Sequence, residues 1–546
     1  MHGLMMRTPL TITSIMRHAQ INHPHATIAD ITMDNPTHRY TYREAFERTA
    51  QLAHALAGCG LNATDRVATL AWNDHRHFEL YYGVSCSGYV LHMMNPRLFP
   101  EQVVYVINHA EDRILFIDPL FLPLLEKLAD KLPTVQRYVV LTDDAHMPQT
   151  PLPGAQSYES FIAGHPTAFD WPNLDEDTAS SMCYTSGTTG NPKGVLYSHR
   201  STVLHAMGCC MTDAMGVSSK DRLLPVVPMF HVNAWGVPYA APMAGADLVL
   251  PGPKMGDGQA LFELIEGHQV TCALGVPTVW LALLEYARKA GGKLASLDRT
   301  VVGGSACPKA IMDEFRDVHD VRVGHAWGMT ETSPMGTINT ESRRVAELAE
   351  DTRYALALKQ GRGTFGIEMR IVDDKGEQLP WDGEAFGPLQ VRGPWVCSAY
   401  YRQSEGQQSH TADGWFDTGD VATVDEYGYM QITDRTKDVI KSGGEWISSI
   451  ELENLAVGFD GVAEAAVIGV AHPKWFERPL LIVRPEEGAE IDPDALLASY
   501  KGQVASWWIP DAVAFVQDIP HTSTGKISKR QLRERFADYK LPADGG

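Results

Sequence analysis

The residues most suited to chemistry lie in one stretch, Tyr184–Thr185–Ser186–Gly187–Thr188–Thr189–Gly190–Asn191–Pro192–Lys193–Gly194. Gly187, Gly190 and Gly194 permit backbone conformations that turn amides inward, and Thr185, Ser186, Thr188 and Thr189 add hydroxyl donors. Lys193 adds a cation. A loop of this kind can wrap phosphate oxygens. It is not a Walker A loop, because Gly187-x-x-Gly190-x-x-Lys193-Gly194 departs from GxxxxGK[ST]. A flexible polar loop is the alternative. Four hydroxyls, three glycines and a lysine in eleven residues weigh against it.

Such a loop needs rigid elements to hold it. Thr41–Tyr42–Arg43–Glu44 has the capping-box pattern. It predicts a helix whose Ala45, Thr49, Leu52, Ala53 and Leu56 share one face, closed by Gly58 and Gly60. A strand follows over 66–72. Short apolar runs then alternate with helices: 115–117, 137–141, 247–250 and 271–275. Continuous apolar strands between helices predict an α/β fold of parallel sheets covered on both faces. After Gly366 the runs 369–372, 387–392, 415–419 and 429–434 are short and separated by Gly, Asp and Pro, which predicts a small, turn-rich β module. The charged, glycine-bearing stretch Asp434 to Gly444 reads as a hinge. A helix over 448–456, a strand over 463–469 and a helix over 494–504 follow. The expected organisation is therefore a large N-terminal domain, 1–434, and a small mobile α+β domain, 435–546. The run Pro479 to Pro485 is shorter than the strand expected there.

Bulk properties set limits. The chain has 546 residues, 44% of them hydrophobic, and a formal net charge of −21. More than one domain is expected at roughly 150 residues each. A surface this acidic repels a phosphate backbone, which argues against nucleic-acid binding as a main role. The 8 cysteines include no CxxC pair and sit among small or apolar residues, so reduced, buried thiols are expected. No signal peptide is read at the N-terminus. No run approaches the ~20 apolar residues of a membrane span, so a cytoplasmic protein is expected.

The loop at 184–194 resembles the phosphate loop of the adenylate-forming (AMP-binding) acyl-CoA synthetases, relatives of luciferases and peptide-synthetase adenylation domains. The resemblance runs over nearly the whole chain. Trp327–Gly328–Met329–Thr330–Glu331–Thr332 looks like the family's second signature, although relatives more often carry Tyr at the first position. The resemblance implies that Trp327 stacks on adenine, Thr330 bonds the α-phosphate and Glu331 binds Mg²⁺, a hard cation suited to carboxylate oxygen. Gly303–Gly304–Ser305–Ala306 resembles the turn edging adenine and the acyl pocket. Trp415 to Asp420 resembles the ribose signature, in which Asp420, joined by Arg435, takes the ribose hydroxyls. Taken singly, Trp327 reads as core, Glu331 as a surface charge and Asp420 as a turn residue; their company changes the reading.

Asp434–Arg435–Thr436–Lys437–Asp438–Val439–Ile440–Lys441 matches the family's interdomain linker. The resemblance implies that Lys437 carries the torsion change by which the small domain turns between two half-reactions. Gly443, Gly444 and Glu445 would line the path of the coenzyme A pantetheine arm, or simply loosen the linker. Pro520–His521–Thr522–Ser523–Thr524–Gly525–Lys526–Ile527 resembles the loop of the catalytic lysine. Lys526 would bridge the incoming carboxylate and the phosphate oxygens. Lys529, Arg530, Arg533 and Arg535 follow at near-helical spacing, open to two readings: a hold on pyrophosphate or coenzyme A, or a solvated helix face.

Pro228 to Trp235 resembles the acyl-site wall, with His231 near the carboxylate and Trp235 as a tunnel gate; both residues also read as ordinary packing. The implied reaction uses ATP and Mg²⁺ to adenylate an acid, then transfers the acyl group to coenzyme A. No residue need act as a covalent nucleophile. The chain resembles the medium- and long-chain fatty acid branch, and still more the bacterial 3-(methylthio)propionyl-CoA ligases of dimethylsulfoniopropionate breakdown. A homodimer is expected from the same relatives. Adenylation with a carrier-protein phosphopantetheine or oxygen as the acceptor, and a non-catalytic nucleotide-binding regulator, remain as alternatives. Lys526, Glu331 and Asp420 together weigh against the second.

Overall fold

The computed structural model describes residues 1–185, 191–403, 409–442, 445–522 and 527–541. Two large sheets dominate the N-terminal domain. The first has seven strands in the order Gln156–Ser157, Arg137–Val140, Asp112–Ile117, Arg66–Leu70, Val90–Met93, Ala179–Tyr184 and Gly194–Ser198. It is parallel until its last pair, which is antiparallel. Nine strands form the second, with Arg322–Gly328, Arg299–Val302, Cys272–Gly275, Arg222–Pro225, Asp247–Leu250 and Thr27–Asp30 as its parallel centre. Buried apolar runs make these strands, as expected for sheets covered on both faces.

Helix Tyr42–Ala57 begins in a true capping box. Glu44 N–H donates to Thr41 Oγ1 at 3.3 Å, and Thr41 N–H donates to Glu44 Oε2 at 2.7 Å. Its Ala45, Thr49, Leu52, Ala53 and Leu56 are all buried. Helix His75–Cys86 is buried on every side. Its polar residues are therefore all partnered: Arg76 with Asp34 and Glu159, Glu79 with Arg48 and Tyr158. The hydroxyls of Tyr81 and Tyr82 donate to the carbonyls of Met229 and Pro238, fixing the helix against the segment expected to line the acyl site.

The β module is a four-stranded antiparallel sheet, Glu368–Ile371, Phe386–Arg392, Phe416–Val424 and Met430–Arg435. A smaller C-terminal domain follows, with its own sheet and core. The strand expected to be short there is not: Phe476–Pro485 pairs along its whole length with Val462–His472. The expected helix over 494–504 is shorter, Pro493–Ser499, and the chain leaves it in turns at Tyr500 to Val504. All eight cysteines are free thiols. Among the described residues, no helix is long and apolar enough to cross a membrane.

Candidate nucleotide and acyl site

The loop expected to wrap phosphate connects the two antiparallel strands at the edge of the first sheet, and its described stem is closed. Tyr184 lies opposite Gly194, Thr185 N–H donates to the Lys193 carbonyl at 2.8 Å, and Lys193 N–H donates to Thr185 Oγ1 at 3.2 Å. Gly194 is pressed between rings and chain: a Cβ there would stand 3.2 Å from Tyr184 Cζ and from Tyr401 Cβ. The Lys193 ammonium lies 4.7 Å from the centre of the Tyr400 ring, within cation–π range.

Tyr400 then links this loop to the second signature. Its hydroxyl donates to Glu331 Oε1 at 2.6 Å. Glu331 is buried, and burial pushes its carboxyl up while the Tyr400 hydroxyl pulls it down; Arg435 and Asp420 also act on it electrostatically. A second tie comes from Tyr197, whose hydroxyl donates to the Thr330 carbonyl at 2.7 Å. The turn Thr330–Thr332 follows the strand end at Gly328, where a Cβ would meet the Pro334 carbonyl oxygen at 1.8 Å. Only glycine fits there.

Trp327 donates its ring N–H to Asp420 Oδ2 at 2.9 Å, and Arg435 Nε lies 2.6 Å from Asp420 Oδ1. Asp420 and Arg435 are directly opposite on adjacent strands of the β module, so sheet register brings them together. Each carboxylate oxygen keeps a lone pair beyond the one used here. The arrangement offers a flat indole, a carboxylate and a guanidinium side by side. Gly303 ends strand Arg299–Val302; a Cβ on it would stand 3.0 Å from the Ala326 carbonyl oxygen and 3.2 Å from the Trp235 ring. Gly304 has φ +83°, Ala306 is half-buried, and Ser305 is exposed. The Gly303 turn thus separates the Trp327 strand from Trp235.

The expected acyl wall has an unusual backbone. Val232, Asn233, Ala234 and Trp235 are all left-handed, with φ of 47°, 54°, 46° and 56°, and Gly236 follows at 79°. Left-handed geometry costs about 1–2 kcal/mol per non-glycine residue, so surrounding contacts must impose it. The backbone N–H groups of Asn233 and Val232 face the Cys183 sulfur, whose thiol burial holds up at about 12. Cys209 Sγ approaches the Trp235 carbonyl at 3.7 Å. Trp235 is thereby packed in, and His231, half-buried, opens the turn.

Thr185, Lys193, Trp327, Thr330, Glu331, Asp420 and Arg435 therefore form one connected group, with Gly303 and Trp235 beside it. Ser186, Gly187, Thr188, Thr189, Gly190, Gly443, Gly444 and Lys526, and the side chain of Glu445, lie outside the described residues. Tyr400 and Tyr197 escape sequence reading because neither falls in a recognisable spacing. Two members of the basic run, Lys529 and Arg533, also need correction, while Arg530 and Arg535 are exposed. Lys529 pairs with Glu453 at 2.8 Å, Arg533 with Asp438 at 2.6 Å and Arg530 with Glu534 at 3.6 Å, while Arg535 lies 3.6 Å from Asp518. Lys529 and Arg533 are thus joined to acidic groups of their own domain, neither a solvated face nor a row of cations held out for a ligand.

Comparison with known proteins gives two family matches: the AMP-binding enzyme model over residues 17–401 and the AMP-binding enzyme C-terminal domain over residues 451–526. The chain is 52% identical to a 3-methylmercaptopropionyl-CoA ligase of Ruegeria pomeroyi, covering 98% of this chain and 99% of that one. It is 48% identical to a medium-chain-fatty-acid–CoA ligase of Ectopseudomonas oleovorans, covering 99% and 98%. Among solved structures, an anthranilate CoA ligase in complex with anthranoyl-AMP superposes with a TM-score of 0.85 at 25% identity, over 98% of this chain and 99% of that one. ATP-bound MatB from Rhodopseudomonas palustris superposes at 0.81 and 26% identity, over 97% and 100%.

Proposed function

This chain belongs to the AMP-binding enzyme family, and from that premise we propose that the acid it activates is 3-(methylthio)propionate, also written 3-methylmercaptopropionate. The enzyme is an AMP-forming acyl-CoA synthetase, with ATP and coenzyme A as substrates. Near full-length similarity to two ligases named for that acid supports the substrate. Medium-chain fatty acids are the second reading, supported by the similar relative named for them.

The observation that carries the chemistry is the Trp327–Asp420–Arg435 contact, with Glu331, Tyr400 and Lys193 beside it. In the proposed assignment adenine lies on Trp327 against Gly303 to Ala306, and the ribose hydroxyls reach Asp420 and Arg435. The loop from Thr185 to Lys193 and the Thr330 hydroxyl take the phosphates. Glu331 suits Mg²⁺, being a buried carboxylate held by one hydroxyl donor. Bound Mg²⁺ would offset phosphate charge. The acid carboxylate enters near His231, with its chain against Trp235. Lys526 bridges carboxylate and α-phosphate as the carboxylate oxygen attacks phosphorus and pyrophosphate leaves. The small domain, 435–546, then turns against the large domain, 1–434, at Lys437. The thiol of coenzyme A passes Gly443, Gly444 and Glu445 and attacks the acyl carbon, releasing AMP. A cytoplasmic homodimer completes the proposal, on resemblance alone.

The reaction is tested with ATP, Mg²⁺, coenzyme A and a panel of acids, following AMP and thiol loss. The expected order of kcat/KM places 3-(methylthio)propionate above C4 to C12 fatty acids. A medium-chain optimum would move the substrate to the second reading, and ADP in place of AMP would overturn the reaction type.

Tyr400 gives a second test. Tyr400→Phe keeps the ring under Lys193 but removes the hydroxyl on Glu331. Groups that orient a metal's ligand are worth about 10–100-fold in metal affinity. The Mg²⁺ concentration for half-maximal pyrophosphate exchange should rise by about tenfold. An unchanged Mg²⁺ requirement would mean that Tyr400 does not orient Glu331.

A further inference from the structure

Strand Met430–Arg435 leads into the hinge, yet its end is tied to residues well beyond it. The Asp434 side chain is fully buried and accepts three hydrogen bonds: from Ser449 N–H at 2.7 Å, from the Ser449 hydroxyl at 2.6 Å and from Arg435 N–H at 2.7 Å. Ser449 is the first residue of helix Ser449–Val457, so its N–H is one of the donors a helix leaves without an internal partner. The preceding Ser448 caps the same helix, its hydroxyl accepting from Glu451 N–H at 3.1 Å while donating to the Thr433 carbonyl.

A second layer closes over these contacts. Lys529, at the start of helix Lys529–Arg535, donates to the Ser449 hydroxyl and pairs with Glu453 at 2.8 Å. Glu453 also accepts Val467 N–H at 2.7 Å. The Ser449 hydroxyl thus accepts from an ammonium while donating to a carboxylate. Burial pushes the Asp434 and Glu453 carboxyls up, and the nearby Lys529 charge opposes that rise. Buried carboxylates of this kind depend on their partners, and losing one leaves an uncompensated group.

The partners divide at Lys437. Thr433 and Asp434 precede it; Ser448, Ser449, Glu453 and Lys529 follow it. The chain is anchored close on both sides: Thr436 N–H donates to the Gly419 carbonyl at 3.1 Å, and Asp438 pairs with Arg533 at 2.6 Å. A rotation at Lys437 carries the second group past the first. It must separate Asp434 from Ser449 and Thr433 from Ser448. The Lys529–Glu453 pair lies wholly beyond the hinge and travels intact.

We propose that Asp434 is a positioning residue for the two-step reaction, a latch that holds the small domain in the orientation of this structure and releases it once in each turnover. The inference rests on Lys437 as the hinge of an acyl-CoA synthetase, as set out above. It adds a buried contact that the rotation has to break, and so a group that weighs in the balance between the two orientations. The chemistry of the latch is a carboxylate gripping a helix N-terminus across the hinge, with Lys529 as the counter-charge that leaves with the small domain.

The test is Asp434→Asn in the full-length enzyme, with the fold checked by circular dichroism and thermal unfolding. Adenylation is read by ATP–pyrophosphate exchange, and thioester formation by adding coenzyme A to pre-made acyl-adenylate. A hydrogen bond to a charged group is worth about tenfold or more in an equilibrium constant. The ratio of the two half-reaction rates should therefore shift about tenfold, toward the half-reaction served by the other orientation. Trypsin cleavage after Lys437 or Lys441 should quicken in the absence of substrates. An unchanged ratio and unchanged cleavage, or an equal fall in both half-reactions, would overturn the latch. If Asp434→Asn does not fold, Ser449→Ala keeps the carboxylate, removes one donor and carries the same two readouts. Loss of both half-reactions in the wild-type enzyme would sink the ligase reading itself, whereas a wild type that performs both beside a variant of unchanged ratio sinks the latch alone.

Discussion

Lys526→Ala is expected to lower ATP–pyrophosphate exchange by about 10²–10³-fold while conversion of pre-made acyl-adenylate to thioester keeps most of its rate. Adenylation brings a carboxylate anion onto a phosphorus ringed by negative oxygens. A cation placed between the two anions offsets charge that grows as the bond forms, and it is needed only in that step. The second step has different demands, because a thiol attacks a neutral acyl carbon. The stem of the loop supports such a placement. His521 pairs with Ile527 across it, Ser528 N–H donates to the Pro520 carbonyl at 2.7 Å, and His521 Nε2 lies 2.6 Å from Glu464. Lys529 then pins the following helix. The described residues on either side of 523–526, His521 and Ile527, are thus held together and tied to the small domain. Equal loss in the two half-reactions would refute the role assigned to it.

Local chemistry made much of this protein legible in advance. The capping box at Thr41, the parallel apolar strands and the β module all rest on neighbours in sequence, and each is present. Helix His75–Cys86 was not legible, because a helix buried all round has no apolar stripe to show. The left-handed turn at Val232 to Trp235 was hidden for a different reason. Val, Ala and Trp carry no signal for positive φ and the single Asn only a weak one, and distant contacts, including the Cys183 sulfur, impose it. Tyr400 joins Lys193 to Glu331 only through tertiary structure. Lys529 and Arg533 read as cations for a ligand or for solvent because their partners, Glu453 and Asp438, lie 76 and 95 residues earlier in the chain.

Lys437→Pro should leave pyrophosphate exchange standing and collapse thioester formation, with overall turnover falling by about 10²-fold or more if the second orientation is lost by the ~3 kcal/mol typical of a misplaced proline. The residue sits where the chain has least freedom to share a rotation. Thr436 is held to Gly419 through both its N–H and its hydroxyl, at 3.1 and 3.2 Å, and Asp438 is held to Arg533. A change in domain orientation must then concentrate at the one residue between them. Lys437 is exposed. Proline fixes φ near −65° and so admits one backbone setting where two are required. The orientation that tolerates this φ continues to work, and the other is denied. The prediction separates the hinge from the latch: Asp434→Asn loosens one orientation and shifts a ratio by about tenfold, whereas Lys437→Pro lowers one half-reaction by about 10²-fold or more. Normal turnover by Lys437→Pro would remove Lys437 as the hinge and send the rotation to another part of the linker.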